Sequence, residues 1–545
     1  MQLKRFILFF LLATFSTGAV LTGCSNDSDI TGDGGGNSDG GDDDNVLRLN
    51  LHDEPTVFDP GTQEDYVSGI ISMQMFDGLM RTGEDGEPEK SLAEDIDISD
   101  DELTYTFTLR DAEWSNGDPV TAGDFEYAWK RVLDPDTGSN DANELYFIEN
   151  AADYYKGDAD EDEVGVKALD DDTLEVTLES PTEYFLEYAT TPTLGPLNED
   201  AIEEAGEDEE WANDPDTAVV NGPFKLASYE PQNELILEKN EDYWDADSVK
   251  MDKIEFSIVD EANTELGMFD QGELDWAGLP VGELPRDAIQ SLQDDDDLHS
   301  EVMARSAYVR FNTEKEPFTN EKIRKAFAYA INREEIASSA TYDTAEPLMG
   351  YIPKTMALKE DGYFDDNNVD EAKELLEEGM EELGISELPE VTFLYNTSSE
   401  NKKVAQILQA QLNEALDVDV KLEHEESKVF FEDQNNMKFD FSISGLTGSY
   451  NDPIGFLKNY EEADTNVNNT MWENEEYNEY LDQARHETDT DKRDEYLEKA
   501  EALMMDEMPL FGLYTASNYW VQNEDVKGYR IDPTGHIDYK WVSKE

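Results

Sequence analysis

"DAEWSNGDPVTAGDFEYAWKRVLDP" runs from Asp111 to Pro135. It reads as a turn that feeds a helix. Asn116-Gly117 makes a tight turn, and Thr121 or Asp124 is placed to cap the helix that follows. Phe125, Ala128, Trp129 and Val132 recur at helical spacing and give that helix one apolar face. Trp114, upstream of the turn, is a large anchor for burial. Before it, Leu103 to Leu109 alternates apolar residues with threonine, the pattern of a strand with one buried face. A strand, a turn and an amphipathic helix in succession describe a mixed α/β chain.

The same two periods continue outward. Leu174 to Leu178 and Val418 to Leu422 alternate as strands. Ile323, Ala326, Phe327, Ala330 and Ile331 line a helix face, with Asn320 placed as its cap. Val404, Ile407, Leu408 and Leu412 repeat that pattern. Leu375, Leu376 and Leu383 mark another helix, with Gly384 suited to end it. Tyr496, Leu497, Ala500, Leu503 and Met504 mark a late helix, with Pro509 just beyond. These stripes read as core. No repeat of fixed period interrupts them. At 545 residues and 38% apolar content, the chain has room for roughly two to four domain-sized units.

Charge is the outlying property. The chain carries 131 Asp and Glu against 39 Lys and Arg, a formal net charge of −92. Such a surface repels itself unless salt screens it, and at 1 M salt the screening length falls to about 3 Å. The composition points to a saline medium, with an alkaline one as the further option. It makes nucleic acid and anionic lipid headgroups poor partners, because both are bound through clusters of Lys and Arg.

The first residues, "MQLKRFILFFLLATFSTGAVLTGC", have the plan of a secretory signal peptide over 1–23: a basic start, a short apolar run, then small residues. "LTGC" resembles the bacterial lipoprotein lipobox. That resemblance makes Cys24, the single cysteine, a lipid-carrying mature N-terminus at the outer face of the cell membrane. Two or more acyl chains anchor a protein where one holds it only weakly. Residues 24–45 then form a Gly, Ser, Asn and Asp tether unable to bury apolar area.

No catalytic signature is present: no HExxH, GxSxG, glycine-rich phosphate loop or CxxC. The five histidines, His52, His299, His424, His486 and His536, are scattered without metal-ligand spacing. Ser399 to Lys402 matches SxxK, but its companion motifs are missing. "DADEDEVG" (Asp158–Gly165) lacks the closing Glu of a calcium loop and reads as an acidic turn. The chain is expected to be no enzyme and to need neither cofactor nor metal.

The opening segment resembles the signature region of bacterial extracellular solute-binding protein family 5, which includes the oligopeptide- and dipeptide-binding lipoproteins of ABC importers. "DEPTVFDP" (Asp53–Pro60), "VGVKALDDDTLEVTLESPTEYFL" (Val164–Leu186), "NGPFKL" (Asn221–Leu226), "LEKNEDYW" (Leu237–Trp244), "RFNTEKEPFTNEKIRKAFAYAINRE" (Arg310–Glu334) and "YNDPIGFL" (Tyr450–Leu457) follow in the family's order. The resemblance implies a two-lobed periplasmic-binding-protein-like clamshell of three domains. Domain I is discontinuous, at 46–77, 201–305 and 511–545; domain II is 78–200 and domain III 306–510. It further implies a monomer that closes on an extended peptide and passes it to a permease driven by ATPases.

Carried over position by position, the family's ligand contacts fall on Tyr66, Val67 and Ser68 on one wall and Ser444, Gly445, Leu446 and Thr447 on the other. Several polar positions depart from the pattern of its oligopeptide-binding members. Leu446 stands for an aromatic, and Ser449 for the aspartate that pairs the peptide's α-ammonium. Ile443 stands near an arginine, Ser427 near a tryptophan and Asn401 near a histidine. A buried ammonium without a carboxylate costs several kcal/mol, so Asp65, Glu425 or Glu426 are candidate replacements. Other solutes of the family (oligosaccharide, metal chelate or opine) and a peptide-sensing role stay open beside transport. An anchored hydrolase is the distant alternative.

Overall fold

The helix announced by the opening segment runs Ala122–Leu133. Both proposed cap residues take part: the Thr121 N–H donates to the Asp124 carboxylate at 2.7 Å. The Trp114 indole reaches the same carboxylate at 3.3 Å, and Gly117 closes the turn at φ +87°. Trp114, Phe125 and Trp129 are fully buried, and burying one such side chain stabilises the fold by about 1.5–3 kcal/mol. The helix packs on the strands Val166–Asp170 and Thr173–Thr177.

The structure is a computed structural model that describes residues 45–63, 65–84, 86–206, 211–463 and 467–545. The expected signal peptide, Cys24 and the tether before Asn45 lie outside the described residues. From Asp44 on, the chain is one compact unit.

Three larger sheets organise the described residues. One pairs Val46–Leu51 in parallel with Lys253–Ile258 and continues antiparallel through Glu234–Lys239 and Phe224–Glu230. A second, antiparallel throughout, runs Ala93–Ile98, Thr104–Leu109, Thr173–Thr177, Val166–Asp170. Both belong to the first lobe. The third sheet is mixed and reads Trp276–Gly278, Leu510–Gln522, His299–Phe311, Phe441–Thr447, Val391–Asn396, Val420–Glu425. The two 13-residue strands His299–Phe311 and Leu510–Gln522 join the lobes. Near Trp520 the second of them pairs with Trp276–Gly278, and toward Phe311 the first of them pairs with Phe441–Thr447. Their mutual register shifts between Val302 and Ser306 and again between Ala307 and Tyr308. The shape is a two-lobed α/β clamshell.

The helices follow their local signals. Asn320 caps Glu321–Tyr329 by accepting the Ile323 N–H at 3.2 Å. Gly384 ends Val369–Leu383 in the left-handed region. One strand is displaced: the alternation at Val418–Leu422 belongs to a strand that runs Val420–Glu425. Asp417 ends the preceding helix at φ +55°, and Val418 drops into the core before the strand begins.

The C-terminal segment locks back into the first lobe. Arg81, 4% exposed, donates to Asp538 at 2.5 and 3.1 Å and to Asp77 at 3.1 Å. Asp77 also accepts from Ser91, Tyr243 and Trp244. Burial pushes its carboxyl up, but the charges of Arg81 and Lys540, with the hydrogen bonds from Trp244 and Ser91, hold it below the usual range. Gln74 bridges the Ile537 carbonyl and the Tyr539 N–H.

Candidate functional site

Between the lobes lies a cleft of about 920 Å³. One wall is built by His52–Glu54, Asp65–Val67 and Leu279–Glu283. The other is built by Asn396, Glu400, Asn401, Phe430, Phe431, Ile443–Gly445 and Thr447. The joining strands supply the floor with Met303, Arg305, Ala307, Tyr514 and Ala516–Tyr519.

Strand register decides which residues reach this space. Arg305 pairs with Thr447 and Ala307 with Gly445, and all four line the cleft. Ser306 pairs with Leu446 between them. Successive side chains on a strand point to opposite faces, so Leu446 turns away and packs on the core. Phe441–Thr447 also has a partly open edge. Its neighbour Val391–Asn396 pairs with it only at Phe441 and Ser442. Beyond that, Gln434 covers the Ile443 carbonyl, and Ser444–Thr447 has no strand on that side among the described residues.

Of the positions expected from the sequence, Tyr66, Val67, Asn401, Ser444, Gly445 and Thr447 line the cleft. Ser68 is fully buried behind it. Ser427 starts the exposed first turn of Ser427–Asn435, outside the lining, and Glu425 and Glu426 precede it there. Ser449 borders a separate crevice with Thr82, Glu187, Thr190 and Asp532. Asp65 does line the cleft, but its carboxylate is committed. It accepts from the Thr56 and Ser68 hydroxyls at 2.5 and 2.6 Å and from the Ser68 N–H at 2.8 Å, capping Tyr66–Met75.

Arg286, Glu400, Tyr514 and Glu283 also line the cleft and carried no sequence signal of their own. Arg286 bonds Glu400, and the Tyr514 hydroxyl donates to the same carboxylate at 2.5 Å. Burial, with Glu400 beside it, pushes the Tyr514 hydroxyl well above its ordinary range. His52 meets Glu283 at 3.0 Å. Tyr66 donates to the Gly535 carbonyl and lies 4.9 Å from the His536 ring. Phe430 and Phe431 add an apolar end. Among the described residues no group of three His, Cys, Asp or Glu is arranged to hold a metal ion.

Away from the cleft the lobes also touch at a rim. Tyr184 stacks on Tyr450 with ring centroids 3.9 Å apart and planes within 1°. Glu183 pairs with Arg493 at 3.2 Å and accepts from Thr490 at 2.9 Å. Lys458 reaches Glu144 at 2.9 Å, and the Asn451 N–H donates to Glu187 at 2.6 Å. Burial pushes the Glu187 carboxyl up to about 7, with Asp532, Asp452 and Glu87 adding to the rise.

Two lobes, joined by paired strands and enclosing a cleft, define a binding protein that closes on its solute. The family model for bacterial extracellular solute-binding proteins, family 5, matches residues 87–468. The chain is 42% identical over 503 residues to the oligopeptide-binding protein OppA of Bacillus subtilis, covering 91% of this chain and 92% of that one. It is 41% identical over 507 residues to the dipeptide-binding protein DppE of the same organism, covering 92% of each. Among solved structures, the periplasmic oligopeptide-binding protein OppAIV of Borrelia burgdorferi superposes with a TM-score of 0.77 at 32% identity, over 92% of this chain and 100% of that one. The chain belongs to family 5 of the bacterial extracellular solute-binding proteins.

Proposed function

We propose that this chain is the substrate-binding lipoprotein of an ABC importer, capturing oligopeptides between its lobes and delivering them to a membrane permease with its ATPases. The open edge of Ser444–Thr447 in the cleft carries the peptide reading. An unpaired strand edge is a template for another extended chain, whose main chain then supplies hydrogen bonds that any sequence can make. Relatives at 42% and 41% identity that carry the names oligopeptide- and dipeptide-binding support the reading and leave ligand length open.

In this proposal Tyr66, Val67 and Asn401 face the peptide from the cleft walls, and Ser444, Gly445 and Thr447 offer it backbone. Domains I, II and III keep the boundaries expected above. Cys24 carries the lipid that holds the protein, as a monomer, at the extracytoplasmic face. The described residues contain no helix long and apolar enough to cross a membrane. A Cys24→Ala variant is expected to leave the membrane fraction for the medium. Its retention there would remove the anchor from the proposal.

The ligand test is native mass spectrometry of the protein purified in molar salt, followed by calorimetric titration of a matched peptide pair, free and acetylated at the N-terminus. Peptides are expected to co-purify and to bind. Tighter binding of the free form assigns a carboxylate to the amine although Ser449 stands in the aspartate's place. Equal binding assigns recognition to main chain alone. A co-purified sugar or chelate, with no peptide binding, would refute the peptide reading.

A further inference from the structure

We propose that Arg305 reads a carboxylate on the bound ligand, so that the cleft selects for a negative charge at one position. The inference rests on the peptide reading above. Its starting point is charge accounting within the cleft. Arg286 is paired with Glu400, and His52 with Glu283. Arg305 lines the same space, is exposed, and makes no hydrogen bond or ion pair among the described residues. In a chain with 131 acids and 39 bases, a base left without an acid inside a cleft is an unusual economy.

Its position gives the charge a target. Arg305 sits on the cleft face of His299–Phe311, opposite Thr447. Its Nε and one terminal nitrogen lie 3.9 Å from where a Cβ on Gly445 would stand. The guanidinium is therefore laid across the bare glycine of the neighbouring strand. A peptide paired on the open edge of Ser444–Thr447 runs two strand spacings from Arg305, or roughly 9.6 Å. Lying over Gly445, the guanidinium has covered about one of those spacings. A carboxylate on that peptide meets the planar fork of donors that arginine presents to two oxygens at once.

Two sources supply that chemistry: the ligand's C-terminal carboxylate or an acidic side chain. Calorimetry at fixed salt separates them. The probes are penta-alanine, its C-terminal amide, and amidated penta-alanines carrying one glutamate at each position in turn. They are titrated into the wild-type protein and into Arg305→Gln and Arg305→Lys. Arg305→Gln is expected to weaken the carboxylate-bearing peptides by roughly 10- to 100-fold, the range of a lost charge-assisted hydrogen bond, and to leave the plain amide unchanged. Arg305→Lys is expected to recover part of the loss. Loss confined to the free C-terminus identifies the main-chain carboxylate, and loss confined to one glutamate position identifies a side-chain pocket. If wild type binds and Arg305→Gln weakens all probes equally or none, the assignment of Arg305 is wrong. If wild type binds none of them, the peptide reading falls and this inference with it.

Discussion

The lobes meet along a rim and across a cleft, and the two are finished differently. At the rim the protein supplies both halves of each contact: Tyr184 on Tyr450, Glu183 on Arg493, Glu144 on Lys458 and Glu187 on the Asn451 N–H. In the cleft two groups are left with one half: among the described residues the edge of Ser444–Thr447 lacks a strand and Arg305 lacks an acid. The rim sets how readily the lobes shut, and the cleft sets what they shut upon. A ligand completes the second surface and adds its binding energy to a closure whose other contacts already exist.

The largest break in that division is expected at Arg493. It is 6% exposed and holds the buried Asp452 at 2.8 Å as well as Glu183. Arg493→Met leaves the buried Asp452 carboxylate without its cation, held among the described residues only by the Ile454 N–H at 2.9 Å, and is expected to cost about 3–5 kcal/mol. Denaturant unfolding at constant high salt measures it, and a loss below 1 kcal/mol would show that the rim does not depend on this pair.

Glu187 sharpens the comparison through pH. Its carboxyl is raised to about 7 where the lobes meet, against an ordinary value near 4.3 when free. The folded protein therefore binds the proton more tightly than the unfolded chain. The stability this group contributes is complete below about pH 4 and is lost as pH rises through about 7. Stability is expected to fall between pH 5 and 8, and Glu187→Gln is expected to flatten that slope. Denaturant unfolding at constant salt across the range decides it; an unchanged slope in the variant would assign the effect to other groups.

The smallest effect is expected at Lys458. Its bridge to Glu144 is partly exposed, so Lys458→Gln is expected to cost no more than about 1 kcal/mol in dilute salt. In molar salt the difference vanishes. A cost that persists there would mean that the rim is drier than its exposure implies.

Much of the scaffold was legible in the sequence because its signals are local. The Thr121 and Asp124 cap, the Asn320 cap and the Gly384 stop each lie within a turn of the helix they bound. The cleft was legible by segment and poorly by residue. Gly445 and Thr447 face it while Leu446 does not, and one step of register decides the difference. Arg305 gave no signal, because its meaning depends on Thr447 and Gly445, more than a hundred residues away. Asp65 was identified as a cleft acid, but its sequence position could not reveal that four donors already occupy it.

Arg81 and Asp538 are separated by 457 positions. While the chain is being made, the first lobe waits for its last strand segment, with a guanidinium destined for the interior still short of one carboxylate. At roughly 5–20 residues per second that interval is about 20 to 90 s. The lobe that contains Arg81 is thus completed only by a segment more than four hundred residues later. A nascent polypeptide of this design stays unfinished, and accessible to whatever carries it, until Asp538 has been made.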